Sequence, residues 1–441
     1  MSKINLVPEV PPATDPADDR YWDPRDLESE MRRTFEICHG CRMCVGYCGT
    51  FPDVFGRVDR DIEKKGATGA ELLEDADFTS ATELCWQCKL CYIKCPYTRD
   101  EGHAWSLDVP RLLMREKAQR ARRNGITLQD RVLGEPQLLG RLTAGPMGPI
   151  ANFVNANRLV RKAMEVTAGI AADFPVPTFG ETSFGRWLDG HEPLPGAGER
   201  GTVALFATCL GDYNFPHIAA SAVRVLEKNG WKVTRPEQTC CGMPNLDGGD
   251  IDAATAKARA NVASLAAEVR AGRKVVCIQP TCGYMVRKEW PELLGTSEAR
   301  EVAAATVDVM ELLEQQRRDK TLSRDFRRGL GKVAYQPPCH LRAMKIGYPA
   351  ARVLGALPDT EVDIVEQCSA VDGTWGMKAQ HYEMGRHYAR KLVRGIENAE
   401  PNVVVTDCAL SARRILAETE RPALHPVEAL ADAYGVSPDV R

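Results

Sequence analysis

Two cysteine runs near the N-terminus have the same spacing, and the cysteine thiolate is a ligand for soft metals. Each run reads C-x2-C-x2-C-x3-C, the bacterial ferredoxin pattern. The eight members are Cys38, Cys41, Cys44 and Cys48, then Cys85, Cys88, Cys91 and Cys95. In this pattern three closely spaced thiolates bind three irons of one cube, while the fourth cysteine serves the other cube. The two runs therefore predict a pair of iron–sulfur clusters with exchanged fourth ligands.

This exchange defines two expected ligand sets, each for one [4Fe-4S] cubane cluster. The first set is Cys38, Cys41, Cys44 and Cys95, and the second set is Cys85, Cys88, Cys91 and Cys48. Structural zinc is the alternative, although zinc ribbons use cysteine pairs separated by a longer spacer. Disulfides would require an oxidising compartment.

Length and charge limit the function classes. The 441 residues have a net charge of -3, which argues against nucleic acid as a partner. The N-terminus lacks the apolar core of a signal peptide, and no run approaches the ~18 apolar residues of a membrane span. We therefore expect a cytoplasmic protein with reduced thiols, leaving open a peripheral position on the inner face of the membrane.

Composition shifts predict the order of domains. The order is a disordered or wrapped arm (1–25), a helical two-cluster ferredoxin domain (26–125), a helical connector (126–200), a first α/β domain (201–325) and a second α/β domain (326–441). A helix over 27–37 should deliver Cys38. Short helices near 59–65, 69–74 and 80–84, rather than a hairpin, should join the two runs.

A basic helix is expected over 108–123. It carries six Arg or Lys residues opposite Leu112, Leu113, Ala118 and Ala121, and Gly125 follows as a stop signal. Its basic side is read either as a solvated face or as a docking face for an acidic partner or lipid headgroups.

From residue 201 short apolar strands alternate with helices, which predicts parallel sheets covered by helices. Strands are expected near 202–207, 232–235, 274–278, 332–336, 361–365 and 402–406. Helices are expected near 215–229, 252–271, 284–289, 309–318, 346–355, 377–396, 410–417 and 426–433. The predicted fold class is thus multidomain: an all-helical two-cluster ferredoxin domain followed by a duplicated α/β domain.

The segment Gly196-x-Gly198-x-x-Gly201 resembles a dinucleotide-binding fingerprint by letter only. That fingerprint must follow a strand and open a helix, whereas this segment precedes the predicted strand 202–207. We therefore read it as a linker and expect no hydride chemistry in this chain.

The α/β region repeats its cysteines at matching places in its two halves. The first half has Cys209, Cys240-Cys241-Gly242 and Gln279-Pro-Thr-Cys282-Gly283, and the second half has Cys339-His340, Cys368-Ser369 and Cys408-Ala-Leu-Ser411. These positions follow the carboxyl ends of strands, where open α/β sheets gather ligands. Gly242 and Gly283 would let the backbone approach a bulky cofactor. We predict a metal site in the first half. For the second half a metal site and inert buried cysteines both stay open.

These motifs resemble the iron–sulfur oxidoreductases related to heterodisulfide reductase, the CCG-domain family. The specific pieces are the two ferredoxin runs, Cys240-Cys241-Gly242, Pro280-Thr-Cys282-Gly-Tyr-Met, Pro338-Cys339-His340-Leu and Gly373-Thr-Trp-Gly-Met-Lys378. In that family a CCG domain can hold a noncubane [4Fe-4S] cluster. The resemblance implies Cys209, Cys240, Cys241 and Cys282 as its ligands here.

The sequence departs from the family pattern in both halves. The family's third element is usually C-x-x-C, but Gln279 replaces its first cysteine, so Cys277 becomes a further candidate ligand unless it belongs to the strand. The second half has Ser369 and Ser411 where cysteines are expected, and serine is a poorer iron ligand than thiolate. Cys339, Cys368 and Cys408, with His340 beside them, would then hold a smaller cluster, another metal or nothing.

Three functions remain open. The first is an electron-transfer subunit that connects a flavoprotein dehydrogenase or a rubrerythrin-like partner with a quinone or another acceptor. The second is a disulfide reductase that acts at a noncubane cluster through Cys241 and Cys282. The third is a redox-inert scaffold with zinc in the cysteine sites.

Overall fold

The computed structural model describes residues 4–371 and 373–440. Their contacts define two compact units. One unit runs to Arg131 and includes Asn245–Ala253. The other holds Val132–Pro244 and continues from Ala254.

The first unit is helical. Its helices are Asp19–Trp22, Pro24–Cys41, Thr50–Lys65, Ala70–Leu72, Asp75–Glu83, Leu90–Lys94 and Val109–Asn124. Helix Pro24–Cys41 begins because the Asp23 carboxylate accepts the Arg25 N–H and Pro24 fits the first turn. It ends at Arg42, whose left-handed φ of 53° turns the chain. The segment between the runs is helical as predicted, although the first helix there begins nine residues earlier than 59.

Helix Val109–Asn124 corrects the interpretation of the basic segment. Arg115 is fully buried, donates from Nε to the Tyr21 carbonyl at 2.8 Å and pairs with Asp26 at 2.7 Å. Arg120 pairs with Glu83 at 2.5 Å. For these arginines both readings, a solvated face and a docking face, are wrong, because their charges bind groups of the same unit.

The described part of the N-terminal arm packs on this unit. Ala13 and Tyr21 are buried, and Arg33 donates to the Leu6 carbonyl at 2.7 Å. The N-terminal arm has few apolar residues, so buried arginine side chains hold it by hydrogen bonds to its carbonyl groups.

Residues 126–200 form a series of short helices. They are Leu128–Leu133, Pro136–Thr143, Gly145–Met147, Gly148–Ala156, Arg158–Ala168 and Phe184–Asp189.

Two four-stranded parallel sheets follow. The strands are β1 Thr202–Phe206, β2 Lys232–Thr234, β3 Lys274–Cys277, β4 Thr306–Asp308, β5 Gly331–Gln336, β6 Thr360–Ile364, β7 Val403–Thr406 and β8 Ala423–Leu424. Their orders are β2-β1-β3-β4 and β6-β5-β7-β8, so the second sheet repeats the first. The predicted fold class is confirmed. The sequence pattern missed β4 and β8, which have only three and two residues and so show no periodicity.

Helices cover both sheets. In the first half they are Leu210–Asn214, Pro216–Lys228, Met243–Asp247, Ile251–Arg270, Pro280–Tyr284, Met285–Glu289, Trp290–Leu294, Ser297–Ala305 and Val309–Arg318. In the second half they are Cys339–Ala343, Pro349–Leu354, Trp375–Met377, Ala379–His381, Tyr382–Ala399, Ala409–Thr419 and Pro426–Tyr434. One apolar core joins residues of both halves, including Val203, Val276, Val333 and Val405. Within the described residues, no helix is long and apolar enough to cross a membrane.

Candidate metal centres

The first cysteine set lines a cavity of the first unit. Cys38 and Cys41 lie in the last turn of helix Pro24–Cys41, Cys44 follows in the next turn, and Cys95 ends helix Leu90–Lys94. The walls are largely apolar and include Phe51, Phe55 and Leu107. The structure thus brings together the four residues that the spacing assigns to one cube.

The second set lines a neighbouring cavity. Its members are Cys48, Cys85, Cys88 and Cys91. Phe51, Trp86 and Leu113 form part of the wall, and Phe51 also lines the first cavity. Trp86 is buried, so the apolar wall limits access of water to these thiols.

The thiols of both sets cannot all ionise without a cation. Burial and the nearby Cys95, Cys41 and Cys88 raise the pKa of Cys44 to about 12. Burial, followed by neighbouring thiols, also raises the pKa values of Cys38, Cys48 and Cys91. Thiolates in an apolar cavity repel each other, so this donor set fits a positively charged iron core.

The third group lies at the carboxyl edge of the first sheet. Cys209 follows β1, Cys240 and Cys241 follow the loop after β2, and Cys282 lies in helix Pro280–Tyr284 after β3. These four cysteines line a mostly apolar cavity of about 210 Å³. The sulfur atoms of Cys209 and Cys240 are 3.9 Å apart.

Hydrogen bonds favour a thiolate at Cys240. Contacts from the Cys209 and Cys241 thiols lower its pKa well below the usual thiol value. The same contacts, together with burial, raise the pKa values of Cys209 and Cys241. A Cys240 thiolate that accepts hydrogen bonds from two neighbouring thiols forms, together with them, a suitable donor set for a soft metal.

The two predicted glycines differ. Gly242 has φ 90°, and a Cβ there would lie 3.1 Å from the Ala254 carbonyl oxygen, so the backbone requires glycine. At Gly283 a Cβ would meet its nearest neighbour at 3.6 Å, an ordinary contact. The structure gives a steric reason for Gly242 alone.

Cys277 lies near Cys282 but outside the lining of this cavity. It is the last residue of β3, is buried and is not among the residues that line the cavity. Burial raises its pKa well above the usual value. Its position is that of a core cysteine of the strand.

The second half has fewer thiols at its sheet edge. The sulfur atoms of Cys339 and Cys368 are 3.9 Å apart. The buried hydroxyls of Ser369 and Ser411 are 2.9 Å apart and hydrogen-bonded. Cys408 lines the same 210 Å³ cavity as the first-half cysteines. The two serines therefore satisfy each other's hydrogen bonds at the positions where cysteines were expected.

His340 packs between the halves. Its ring stacks on Tyr284 with centroids 5.1 Å apart, and its Nδ1 is 3.0 Å from the Thr281 hydroxyl. Thr281 lines the cavity, but His340 is not among its lining residues. The histidine is thus in position to support the cavity wall.

Two polar side chains support this site. Sequence reasoning missed Gln137 and named Gln279 only as the residue in place of a cysteine. Gln137, on helix Pro136–Thr143, accepts the Cys240 N–H at 2.7 Å and the Thr239 hydroxyl. Gln279 is buried in the cavity wall, and its amide nitrogen has no hydrogen-bond partner among the described residues. Nothing in the local sequence marks Gln137, because its contact spans 103 residues.

Within the described residues, no group of three or more His, Cys, Asp or Glu meets the geometry for a single metal ion.

Comparisons with known proteins agree with the two-part layout. Residues 31–123 match the Citrate utilization protein B Fer4-like domain. Residues 203–287 and 333–410 each match the Cysteine-rich domain, so the duplication extends to the family model. These matches confirm the resemblance to CCG-domain iron–sulfur proteins.

Curated relatives align with this chain over most of their own length. The chain is 28% identical over 313 residues to the C subunit of anaerobic glycerol-3-phosphate dehydrogenase from Escherichia coli (strain K12), covering 70% of this chain and 77% of the relative. It is 24% identical over 403 residues to the Glycolate oxidase iron-sulfur subunit of the same organism, covering 87% and 89%. It is 26% identical over 217 residues to Lactate utilization protein A of Geobacillus kaustophilus, covering 47% and 87%.

Proposed function

Because the chain joins a Fer4-like domain to two Cysteine-rich domains of iron–sulfur proteins, we propose that it is an electron-transfer subunit of an oxidoreductase complex. It connects a redox partner, a flavoprotein dehydrogenase or a rubrerythrin-like protein, with a quinone or another acceptor. Relatives named as subunits of a dehydrogenase and an oxidase favour the flavoprotein. The chain works in the cytoplasm.

Three cysteine-lined cavities carry this proposal. The first two sets would each hold a [4Fe-4S] cubane cluster, and Cys209, Cys240, Cys241 and Cys282 would hold a noncubane one. When bound, such clusters supply one-electron transfer at potentials that the protein tunes.

The surrounding residues position the thiols and exclude water. Phe51 lies in the walls of both cavities of the first unit, so only a thin apolar layer separates them. Gln137 and Asn261 fix the Cys240 backbone by hydrogen bonds at 2.7 Å to its N–H and 3.1 Å to its carbonyl oxygen. Rigid, dry surroundings favour transfer of electrons without large rearrangement.

The test follows electrons through the isolated chain. Protein purified without oxygen should be reduced by a low-potential dye or a flavoprotein dehydrogenase, and then reoxidised by a water-soluble quinone. Visible absorbance and EPR spectra should follow both steps. A protein with assembled clusters that no donor reduces and no acceptor reoxidises would contradict the proposal.

A disulfide reductase is the second candidate, because the 210 Å³ cavity gives a small molecule room beside Cys241 and Cys282. The reaction would add two electrons and two protons to a disulfide and release two thiols. Turnover of small disulfides with a reduced dye, lost in Cys241→Ser, would support this role. Absence of turnover across a disulfide panel would exclude it.

A further inference from the structure

Three helices of the second unit expose an unusual amount of apolar surface. They are Pro136–Thr143, Gly148–Ala156 and Arg158–Ala168, called here the apolar helices. Phe153 and Leu159 are each 78% exposed, and Val166 is 86% exposed. The exposed large apolar side chains on these helices and on the turn that joins the first two are Leu138, Leu139, Leu142, Met147, Ile150, Phe153, Val154, Leu159 and Val166. Soluble monomers rarely expose such a group without a partner.

The spacing shows that the exposure belongs to definite helix faces. Ile150, Phe153 and Val154 recur at i, i+3 and i+4, so they lie on one face. The inward side of helix Arg158–Ala168 is occupied, since buried Arg161 donates to the carbonyls of Ala171 and Phe174 at 2.7 and 2.8 Å. The outward apolar faces of these helices therefore stay exposed to solvent when their inward sides are packed.

Charge identifies the partner. Arg141, Arg158 and Lys162 are exposed on the same helices. Their one acidic residue, Glu165, accepts the Ala172 N–H at 2.6 Å. Exposed apolar side chains flanked by cations suit the boundary between anionic headgroups and acyl chains.

We infer that the apolar helices dock on an anionic lipid surface without crossing it. They also contribute Leu139, Asn155 and Met164 to the wall of the 210 Å³ cysteine cavity. Leu139 is both exposed and part of that wall. The inference goes beyond the proposed function, because it gives an apolar acceptor dissolved in the bilayer a path to the cavity.

The experiment is flotation of the full chain with vesicles of phosphatidylcholine alone or mixed with phosphatidylglycerol. The wild type should float with the anionic vesicles, and high salt should reduce the bound fraction. Phe153→Asp with Leu159→Asp should weaken binding roughly tenfold or more, because each removes apolar burial. Arg158→Glu with Lys162→Glu should remove the preference for anionic lipid.

The matched control is Val10→Asp with Ile62→Asp, two exposed apolar positions of the first unit. This variant should float like the wild type. Equal flotation of all variants, or no flotation, would overturn the inference. So would light scattering that shows a dimer separated by Phe153→Asp with Leu159→Asp, since a second copy would then cover the face. Iron content is measured in parallel, so loss of docking is distinguishable from loss of clusters.

A different observation concerns the second cysteine run. Lys89 is only 2% exposed and donates from Nζ to the Gln87 side-chain oxygen at 2.8 Å. Gln87 in turn donates from its backbone and side-chain nitrogens to the Cys85 sulfur at 3.4 and 3.5 Å. A buried ammonium thus polarises a donor that points at one thiolate of the second set.

The first run lacks this arrangement at the matching positions. Gly40 stands in place of Gln87, and Arg42 stands in place of Lys89. The Arg42 side chain is 46% exposed and pairs with Asp59 at 2.5 Å. In that set Tyr97 hydrogen-bonds Cys41, which matches Cys88 and not Cys85. The buried charge therefore distinguishes the two sets.

The geometry points to Lys89 as a positioning residue that acts through Gln87 on Cys85 and raises the reduction potential of the second centre. A positive charge and donors near the sulfur stabilise the reduced state, which carries one more electron. This inference depends on the proposed clusters, whose presence the EPR signals report independently.

The test is a potentiometric titration followed by EPR. Lys89→Met and Gln87→Gly should each lower the midpoint potential of the second centre. The midpoint potential of the first centre and the iron content should not change. Gln87 has a left-handed φ of 55°, so glycine suits its backbone. Arg42→Met is the control and should shift the potentials less. Unshifted potentials in Lys89→Met, or equal shifts of both centres, would overturn the role of Lys89.

Discussion

The two cysteine-rich halves share one fold but differ at their sheet edges. Their strand orders correspond, and the helix after the last strand starts with a capping box in both, Asp308 with Glu311 and His425 with Glu428. The first half has four thiols around a cavity. The second half has a close pair of thiols, a third thiol at Cys408 that lines the same cavity, and a pair of bonded hydroxyls. The fold thus persists independently of the thiol set, because backbone caps and apolar strands maintain it.

The replaced positions explain how the second half tolerates its losses. Ser369 corresponds to Cys241, and Ser411 corresponds to Cys282. Unpaired buried hydroxyls would cost stability, but these two bond each other. Conversely, Gln279 stands where the second half has Cys408, and both line the same cavity. Thiols that could serve as metal ligands are thus more numerous at the edge of the first sheet than at that of the second.

The largest expected effect is that of Cys241→Ser. Because serine is a poorer ligand, the variant should lose about four irons per chain while the two cubane clusters remain. Iron and sulfide analysis, with EPR of the cubane signals, measures this. An unchanged iron content would show that the first half holds no cluster at this residue.

The opposite change is Ser369→Cys with Ser411→Cys. It restores thiols beside Cys339 and Cys368, so the iron content should rise above that of the wild type after anaerobic reconstitution. Near-wild-type circular dichroism is the control for packing of the larger sulfur atoms. If the double variant folds but gains no iron, the difference between the halves does not depend on these two serines.

A smaller effect is expected from Ser369→Ala. It leaves the buried Ser411 hydroxyl without its partner and should lower the free energy of unfolding by about 1–3 kcal/mol. The double variant with Ser411→Ala should recover part of that loss, because no unpaired hydroxyl remains. Urea denaturation of the three proteins measures the coupling. Strictly additive losses would exclude the paired role of the hydroxyls.

The smallest effect should come from Cys368→Ser. Because Ser369 and Ser411 stand where two further thiols would be needed, we expect iron content and EPR spectra of this variant to match those of the wild type. Cys240→Ser, at the matching position of the first half, is the comparison and should lose iron. Loss of iron in Cys368→Ser would reveal a second site.

Much of this arrangement could be predicted from sequence, for physical reasons. The cysteine spacings indicate which thiols can reach one cavity, and the six predicted strands lie in apolar runs between helical segments. Contacts between distant segments could not be predicted. Gln137 accepts the Cys240 N–H although 103 residues separate them. The sequence pattern places Arg115 on a basic surface, but in the structure it is buried and donates to the Tyr21 carbonyl of the arm. The Ser369–Ser411 bond likewise depends on tertiary packing rather than on local sequence.

The most direct test of the central claim is the metal and sulfide content of the full chain purified without oxygen. The account predicts roughly twelve irons and a similar amount of acid-labile sulfide per chain, from two cubane clusters and one further four-iron cluster. A protein that contains stoichiometric zinc and no sulfide, from cells able to assemble iron–sulfur clusters, would contradict it.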